Sequence, residues 1–303
     1  MAEGRTAAPP ALVRMDASAA PTSIVAALRE HGAVILDGLA PASTIAQASE
    51  ELEPLLQEAT QDGLVTSLSG VLDRPTVGAL ACHPKVLAVC EEFLSPGCDS
   101  IQLNIAMARR VHPGAAAQAL HQDRQTIPDL RPDAWQGLPL QWGIVCLWAL
   151  DDFTSDNGCT RIIPDSHLWR QVSFPAPTCK FNGFSRDEVA LGRVPSDEEA
   201  VDVTMPRGSA LLFSCGCVHG AKPNNSDAAR TGLLIGYTLG WVRPVENTSL
   251  STPPQVACHL PKRLKELLGY QLHNGLMGFP DLAQRDPDEW LERMRVGGKR
   301  GRE

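Results

Sequence analysis

Between Ser100 and Val242 the chain breaks into short apolar segments: Ser100–Arg110, Leu140–Leu150, Thr160–Pro164, Val201–Met205, Ala210–Phe213 and Thr231–Val242. Turn chemistry separates them, as in Ser155-Asp156-Asn157-Gly158 and Pro206-Arg207-Gly208-Ser209. Segments this short, bounded by Gly, Pro, Asn and Asp, read as strands, and strands bury their apolar faces by packing sheet on sheet. Helical patterns precede them. One starts at Thr22 or Ser23 and stops at His31–Gly32, a second follows Ser43 or Thr44 with Ile45, Leu52, Leu55 and Leu56 on one side, and a third spans Pro84 to Leu94. A strand at Ala33–Leu36 lies between the first two, and Leu260–Leu268 and Pro287–Met294 read as helices near the end. The pattern predicts a mainly β protein with flanking helices, a β-sandwich or jelly roll.

A length of 303 residues alone would suit two domains. No internal repeat or linker divides the strand region, so 21–294 is read as one domain. Residues 1–20, rich in Ala, Pro and Ser, read as a disordered N-terminal segment, and 295–303 as a basic C-terminal tail. The net charge of −8, with no central basic stripe, argues against nucleic acid as a partner. The apolar run Gly143–Leu150 is far short of the ~20 residues that cross a bilayer. Met1–Leu12 lacks an apolar signal core, which leaves a cytoplasmic location as the expectation. Nine cysteines without a CxxC pair read as reduced, mostly buried thiols.

His121-Gln122-Asp123 carries the first chemical signal. In an extended chain, positions i and i+2 share a face, so an imidazole and a carboxylate converge. The triplet is common by chance, and a surface Asp beside a hydrogen-bonded His is the plain alternative. His219 ends the apolar run Ala210–Ser214 and precedes Gly220, where the backbone can turn away from a ligand. Two histidines and one carboxylate form the facial triad of non-haem Fe(II) oxygenases. Arg230 heads the next strand, placed either to hold a carboxylate inside the fold or to point into solvent. Cys215, Cys217 and His219 share strand parity, which leaves a zinc site conceivable. Asp151–Asp152 reads as a polar turn and His167 as an orienting or structural residue. Trp135, Trp142, Trp148 and Phe153 are candidates to line a hydrophobic pocket.

These signals occur in an order that resembles the phytanoyl-CoA dioxygenase-like family of Fe(II)/2-oxoglutarate oxygenases. The order is His121-x-Asp123, then Asn157-Gly158-Cys159-Thr160-Arg161-Ile162-Ile163-Pro164-Asp165-Ser166-His167, then His219-Gly220 and Arg230. Gln102-Leu103-Asn104, Pro113-Gly114, Gln118-Ala119-Leu120-His121, Trp148 to Thr154, Gly240-Trp241-Val242-Arg243 and Leu268-Gly269-Tyr270 resemble the branch that modifies terpenoid and alkaloid natural products. The resemblance implies a double-stranded β-helix (jelly roll, cupin-like), with His121, Asp123 and His219 as ligands of Fe(II). It implies Arg230 on the distal carboxylate of 2-oxoglutarate, Thr160 and Gln118 as further co-substrate contacts, and O2 as oxidant. A hydrophobic small-molecule substrate and a homodimer, with 240–290 as the interface, are also implied. A phytanoyl-CoA-type thioester hydroxylase, a non-catalytic binding subunit and a cupin-like metal hydrolase or isomerase remain alternatives. The chain departs from the pattern at Gln61–Ser69, which lacks the branch's usual basic residue, and at Asp165, where family members commonly carry Gly.

Overall fold

The computed structural model describes residues 11–59, 61–123, 141–169, 172, 193–281 and 285–297. Positions 1–10, 298–303 and Trp135 lie outside them. An eight-stranded sheet dominates. It contains β1 (Val13–Asp16), β2 (Ala33–Asp37), β3 (Gln61–Asp62), β4 (Val65–Ser69), β5 (Ile101–Val111), β6 (Gly143–Ala149), β9 (Ala210–Ser214) and β11 (Arg230–Leu239), in the order β1-β2-β9-β6-β11-β5-β4-β3. A small sheet, β10 (His219–Ala221), β7 (Thr160–Ile162) and β8 (Val201–Asp202), is extended by a bridge between His121 and His219. Along the chain β5 lies in the large sheet, His121 in the small, β6 in the large, β7 and β8 in the small, β9 in the large, β10 in the small and β11 in the large. This back-and-forth winding is the expected double-stranded β-helix.

Alternation along the strands gives the large sheet two different faces. Trp148, Ile144 and Tyr237 point outward to the helices: the Trp148 and His83 rings lie 5.4 Å apart, and the Tyr237 hydroxyl donates to the Ala81 carbonyl at 2.8 Å. The helices there are α1 (Pro21–His31), α2 (Ala42–Glu58), α3 (Pro75–Ala81) and α4 (Pro84–Leu94). Each buried Val, Leu, Ile or Phe on this face contributes about 1.5–3 kcal/mol, and Ile24, Leu28, Ile45, Leu52, Val86 and Val89 are all fully buried. The opposite face, with Leu147, Phe213 and Arg230, looks toward the small sheet. Trp148 therefore belongs to the helix side and not to a pocket, whereas Phe153 lies inside.

Three local expectations change. Val13–Asp16, within the segment read as disordered, pairs in parallel with Val34–Asp37 of β2. The α1 helix starts with Pro21 after Ala20 and has no side-chain cap; Pro suits this position because its missing N–H is an unpaired one anyway. The last helix, Pro287–Gly297, runs past position 294. Between β11 and that last helix the chain forms three short helices: α5 (Thr248–Ser251), α6 (Pro254–Ala257) and α7 (Lys262–Leu267). Among the described residues no helix is long and apolar enough to cross a membrane.

Candidate metal centre

His121, Asp123 and His219 come together between the segment before β6 and the start of β10, and their ligand atoms all lie within 4.8 Å of one another. Two mutual backbone bonds join His121 and His219, N to O at 2.8 and 2.9 Å, so both imidazoles leave the small sheet side by side with ring centroids 4.4 Å apart. Gln122 points the other way, is buried, and donates its amide to the Gly216 carbonyl. That tether joins the His121–Asp123 segment to the turn that leads into His219. Nothing in the triplet's spacing indicated this role for the middle residue.

The ring orientations suit a cation. The His121 Nδ1–H donates to the Ala119 carbonyl at 3.0 Å and the His219 Nδ1–H to the Cys217 carbonyl at 3.1 Å. With Nδ1 holding the proton, each Nε2 lone pair is free, and the two Nε2 atoms lie 3.9 and 3.8 Å from the same Asp123 oxygen. Bonds of about 2.1 Å would place such ligands about 3 Å apart, so each imidazole is within an ångström of that spacing from the Asp123 oxygen. Burial, and next the adjacent His219 ring, push His121 down to about 4, leaving it a neutral ligand at neutral pH. The donor set, two imidazoles and one carboxylate, fits Fe(II). Phe213 packs on His219 at 4.8 Å and holds that ring from the large sheet.

Gly220 is needed for a reason other than turning away from a ligand. It faces out of the small sheet, where the bridging segment crosses so closely that a Cβ would lie 2.8 Å from the Gln118 carbonyl oxygen and 3.1 Å from that of Ala119. On the far side, Ser166 fastens the strand: its hydroxyl accepts from the Val218 N–H at 2.8 Å and donates to the Ile163 carbonyl at 2.6 Å. Asp165 has φ of 62°, a left-handed conformation that Asp tolerates better than most residues and that explains why glycine suits this position. His167 is structural; its Nε2–H donates to the Arg29 carbonyl at 3.0 Å, at the end of α1.

Arg230 is 3% exposed on the inner face. One guanidinium nitrogen donates to the Gly158 carbonyl, the carbon lies 4.2 Å from the centre of the Phe153 ring, and its Nε has no hydrogen-bond partner among the described residues. Gly158 takes φ of 76°, which aims its carbonyl, and the Asn157 side chain fixes the same turn through the Thr154 N–H and Asp152 carbonyl. Burial, then the charge of Arg109, lower Arg230 to about 10, so it stays a cation. Thr160 pairs with Ala221 and Ile162 with His219, which puts the Thr160 side chain on the His219 face of the small sheet. Gln118 lies on the bridging segment, its N–H donating to the Ala221 carbonyl at 2.9 Å and its carbonyl accepting from Arg161 at 3.2 Å.

The zinc alternative fails on geometry. A turn through 215–218 separates β9 from β10, and the Cys217 thiol donates to the Gly32 carbonyl at 3.2 Å, toward α1. Burial raises that thiol to about 12, so it is not a thiolate. Among the described residues the only His, Cys, Asp or Glu group placed to hold a metal is His121, Asp123 and His219. Asp151 and Asp152 accept from the backbone N–H groups of Thr231 and Arg207 at 2.8 and 2.7 Å, the polar turn expected.

Residues 28–232 match the model of the phytanoyl-CoA dioxygenase (PhyH) family. The chain is 28% identical over 276 residues to the multifunctional dioxygenase ausE of Penicillium brasilianum, covering 87% of each. It is 29% identical over 272 residues to the dioxygenase aneA of Aspergillus aculeatus, covering 84% of this chain and 82% of that one. Among solved structures it resembles the epimerase SnoN, determined with Fe3+, alpha ketoglutarate and nogalamycin RO, at a TM-score of 0.56 and 20% identity, covering 73% of this chain and 84% of SnoN. It also resembles EvdO2 of Micromonospora carbonacea var. aurantiaca, determined with 2-oxoglutarate, at a TM-score of 0.51 and 18% identity, covering 70% of this chain and 88% of EvdO2. Matched over most of its length, and with its histidines and carboxylate gathered on the jelly roll's inner face, the chain belongs to the phytanoyl-CoA dioxygenase family.

Proposed function

We propose that this protein is an Fe(II)- and 2-oxoglutarate-dependent dioxygenase that hydroxylates an unactivated C–H bond of a hydrophobic small molecule in natural-product biosynthesis. The observation that carries the reading is the pair of imidazoles, each tied through Nδ1 to a backbone carbonyl so that both Nε2 atoms and Asp123 face one point. The dioxygenases ausE and aneA support the chemistry. The catalytic domain read from the sequence as 21–294 takes in β1 at one end and the last helix through Gly297 at the other.

When bound, iron supplies reductive activation of O2 coupled to decarboxylation of the 2-oxo acid, so that substrate, 2-oxoglutarate and O2 become hydroxylated product, succinate and CO2. His121, Asp123 and His219 would hold the metal, a donor set that suits an iron which must also take up small ligands. Asp123 neutralises one of its charges. Arg230 takes the distal carboxylate of 2-oxoglutarate, and Phe153 beneath its guanidinium excludes water, which strengthens that ion pair. Thr160 and Gln118 add polar contacts to the co-substrate. The chain's further task is to hold the reacting C–H bond near the metal, which is a positioning role.

A homodimer through residues 240–290 belongs to the same proposal. Leu250, Leu276, Met277 and Phe279 support it, being large apolar side chains with 76%, 56%, 49% and 36% exposure in that segment. A cytoplasmic location is supported by the described cysteines, all free thiols. Anaerobic addition of Fe(II) and 2-oxoglutarate tests the function: a visible charge-transfer band is expected, followed by succinate release on admitting oxygen. Absence of both the band and succinate overturns it. Sedimentation velocity tests the dimer.

A further inference from the structure

The inner face of the large sheet is closed at one end and open at the other. Over Gly232 it is filled, since a Cβ there would lie 2.9 Å from the Phe153 ring and 3.2 Å from Leu147. Beyond Gly232 two rows run straight across the strands. One is Leu211, Leu147, Leu234, Met107 and Ser69, on β9, β6, β11, β5 and β4; the other is Phe213, Val145, Gly236 and Ile105, on the first four of these. Directly opposed residues share a face, and both rows are inner because Leu147 reaches over Gly232 and Phe213 packs on His219. Burial falls along each row toward β4. Leu211 is 0% and Leu147 7% exposed, Leu234 and Met107 are partly exposed, and Ser69 is exposed. Phe213 and Val145 are buried, whereas Ile105 is partly exposed. On the outer face of the same β5 and β11, Leu103, Ala106, Ala108, Leu233 and Ile235 are all buried.

Leu234, Met107 and Ile105 therefore form a continuous apolar strip that the protein covers only in part. Ile105 and Met107 are not members of the hydrophobic core, and Leu234 packs on its edge. Apolar surface left against water favours an apolar ligand, and the strip's place says which one. The Ile105 row ends at Phe213, whose ring packs on His219 at 4.8 Å, so the strip begins two to three strand spacings, about 10–14 Å, from the metal set. Arg230 lies beyond Gly232 on the closed side, away from the strip. We propose that Leu234, Met107 and Ile105 seat the apolar body of the substrate, which enters over the β4 edge at Ser69 and reaches the metal with its far end. The inference rests on the proposed dioxygenase function and names the side chains that select its substrate. A molecule touching both the strip and the metal needs an apolar body about 10 Å long, and its fit on the strip sets which carbon reacts.

Equilibrium dialysis of the full chain loaded with Mn(II) and 2-oxoglutarate, without oxygen, tests the seat with progesterone, a neutral, rigid probe of that length. Met107→Gln and Leu234→Asn make the strip polar at nearly constant volume and charge. Each is expected to weaken progesterone by about 5- to 30-fold and to leave the affinity for 2-oxoglutarate, measured by calorimetry, unchanged. Leu168→Asn, at an exposed apolar residue off the large sheet, is expected to change neither. A wild type that does not bind progesterone, or strip variants that bind it as wild type does, overturn the seat while leaving the dioxygenase reading intact. So does a loss of 2-oxoglutarate affinity in Met107→Gln, which assigns the strip to the co-substrate. Failure of the wild type to bind 2-oxoglutarate overturns the dioxygenase reading itself. If Leu234→Asn does not fold, Leu234→Val is dialysed instead: the lost methylene is expected to weaken progesterone about threefold, and an unchanged affinity overturns the seat.

Discussion

Arg110 and Arg230 lie on opposite faces of the same pair of strands and are completed differently. Arg110 faces the helices, and the protein supplies its anion: both Glu53 oxygens accept from it, at 3.1 and 2.5 Å, and the Thr231 hydroxyl accepts at 3.2 Å. Arg230 faces the small sheet, where it meets a carbonyl and an aromatic ring but no carboxylate among the described residues. The outer face is closed by its own side chains and serves stability. The inner face holds, at Arg230, a buried cation with no carboxylate beside it among the described residues, which is how a binding site differs from a core.

Changes at the metal end of the inner face have the largest expected effect. Asp123→Ala should lower metal affinity and succinate formation by more than about a hundredfold while the circular dichroism spectrum stays native. Full turnover in this variant would dissolve the contrast between the faces. Arg230→Gln should raise KM for 2-oxoglutarate by about 10- to 100-fold, with a melting temperature that holds or rises, since a buried charge lacking a carboxylate is removed. A lowered melting temperature with unchanged KM would make Arg230 structural, like Arg110.

Gly220→Ala asks how far backbone packing sets the triad. Its Cβ meets the Gln118 carbonyl at 2.8 Å, so destabilisation of about 1–3 kcal/mol is expected, with weaker metal binding measured by competition with a chelator. The smallest effect belongs to the outer pair. Arg110→Gln should cost only about 0.2–1 kcal/mol, because Glu53 is 45% exposed, and should leave KM for 2-oxoglutarate unchanged. Its pH dependence gives a sharper test. The hydrogen bonds from Arg110 hold the folded-state Glu53 carboxyl below its ordinary 4.5. The pair's contribution is therefore complete above 4.5 and is lost as pH falls through the lowered value. Acid unfolding of Arg110→Gln should lack that component.

How much was legible depends on whether the signal is local. The α4 helix was readable to the residue, since Pro84 suits a first turn and Val86, Leu87, Val89, Cys90, Phe93 and Leu94 repeat on one side. The β4 strand, Val-Thr-Ser-Leu-Ser, has no apolar run and exists because β5 offers it an edge. The short β1 is ordered by its pairing with β2 in the same way. His121, Asp123 and His219 were each suggested by parity or strand position, yet Cys217 met the same parity test and does not join them. Parity cannot reveal a turn that ends a strand, and the turn at 215–218 sends Cys217 toward α1 instead.

By itself the sequence determined which segments could become strands, that one jelly roll could bury them, and which side chains were chemically able to hold a metal and a carboxylate. Those properties follow from side-chain type and from a period of two along the chain. Only the tertiary structure decided that Gln122 ties the triplet to Gly216, that Gly220 makes room for a crossing backbone, and that Met107 stands opposite Leu234 on the inner wall. Each is a relation between residues far apart in sequence, set by strand register and backbone approach, and no local pattern encodes it.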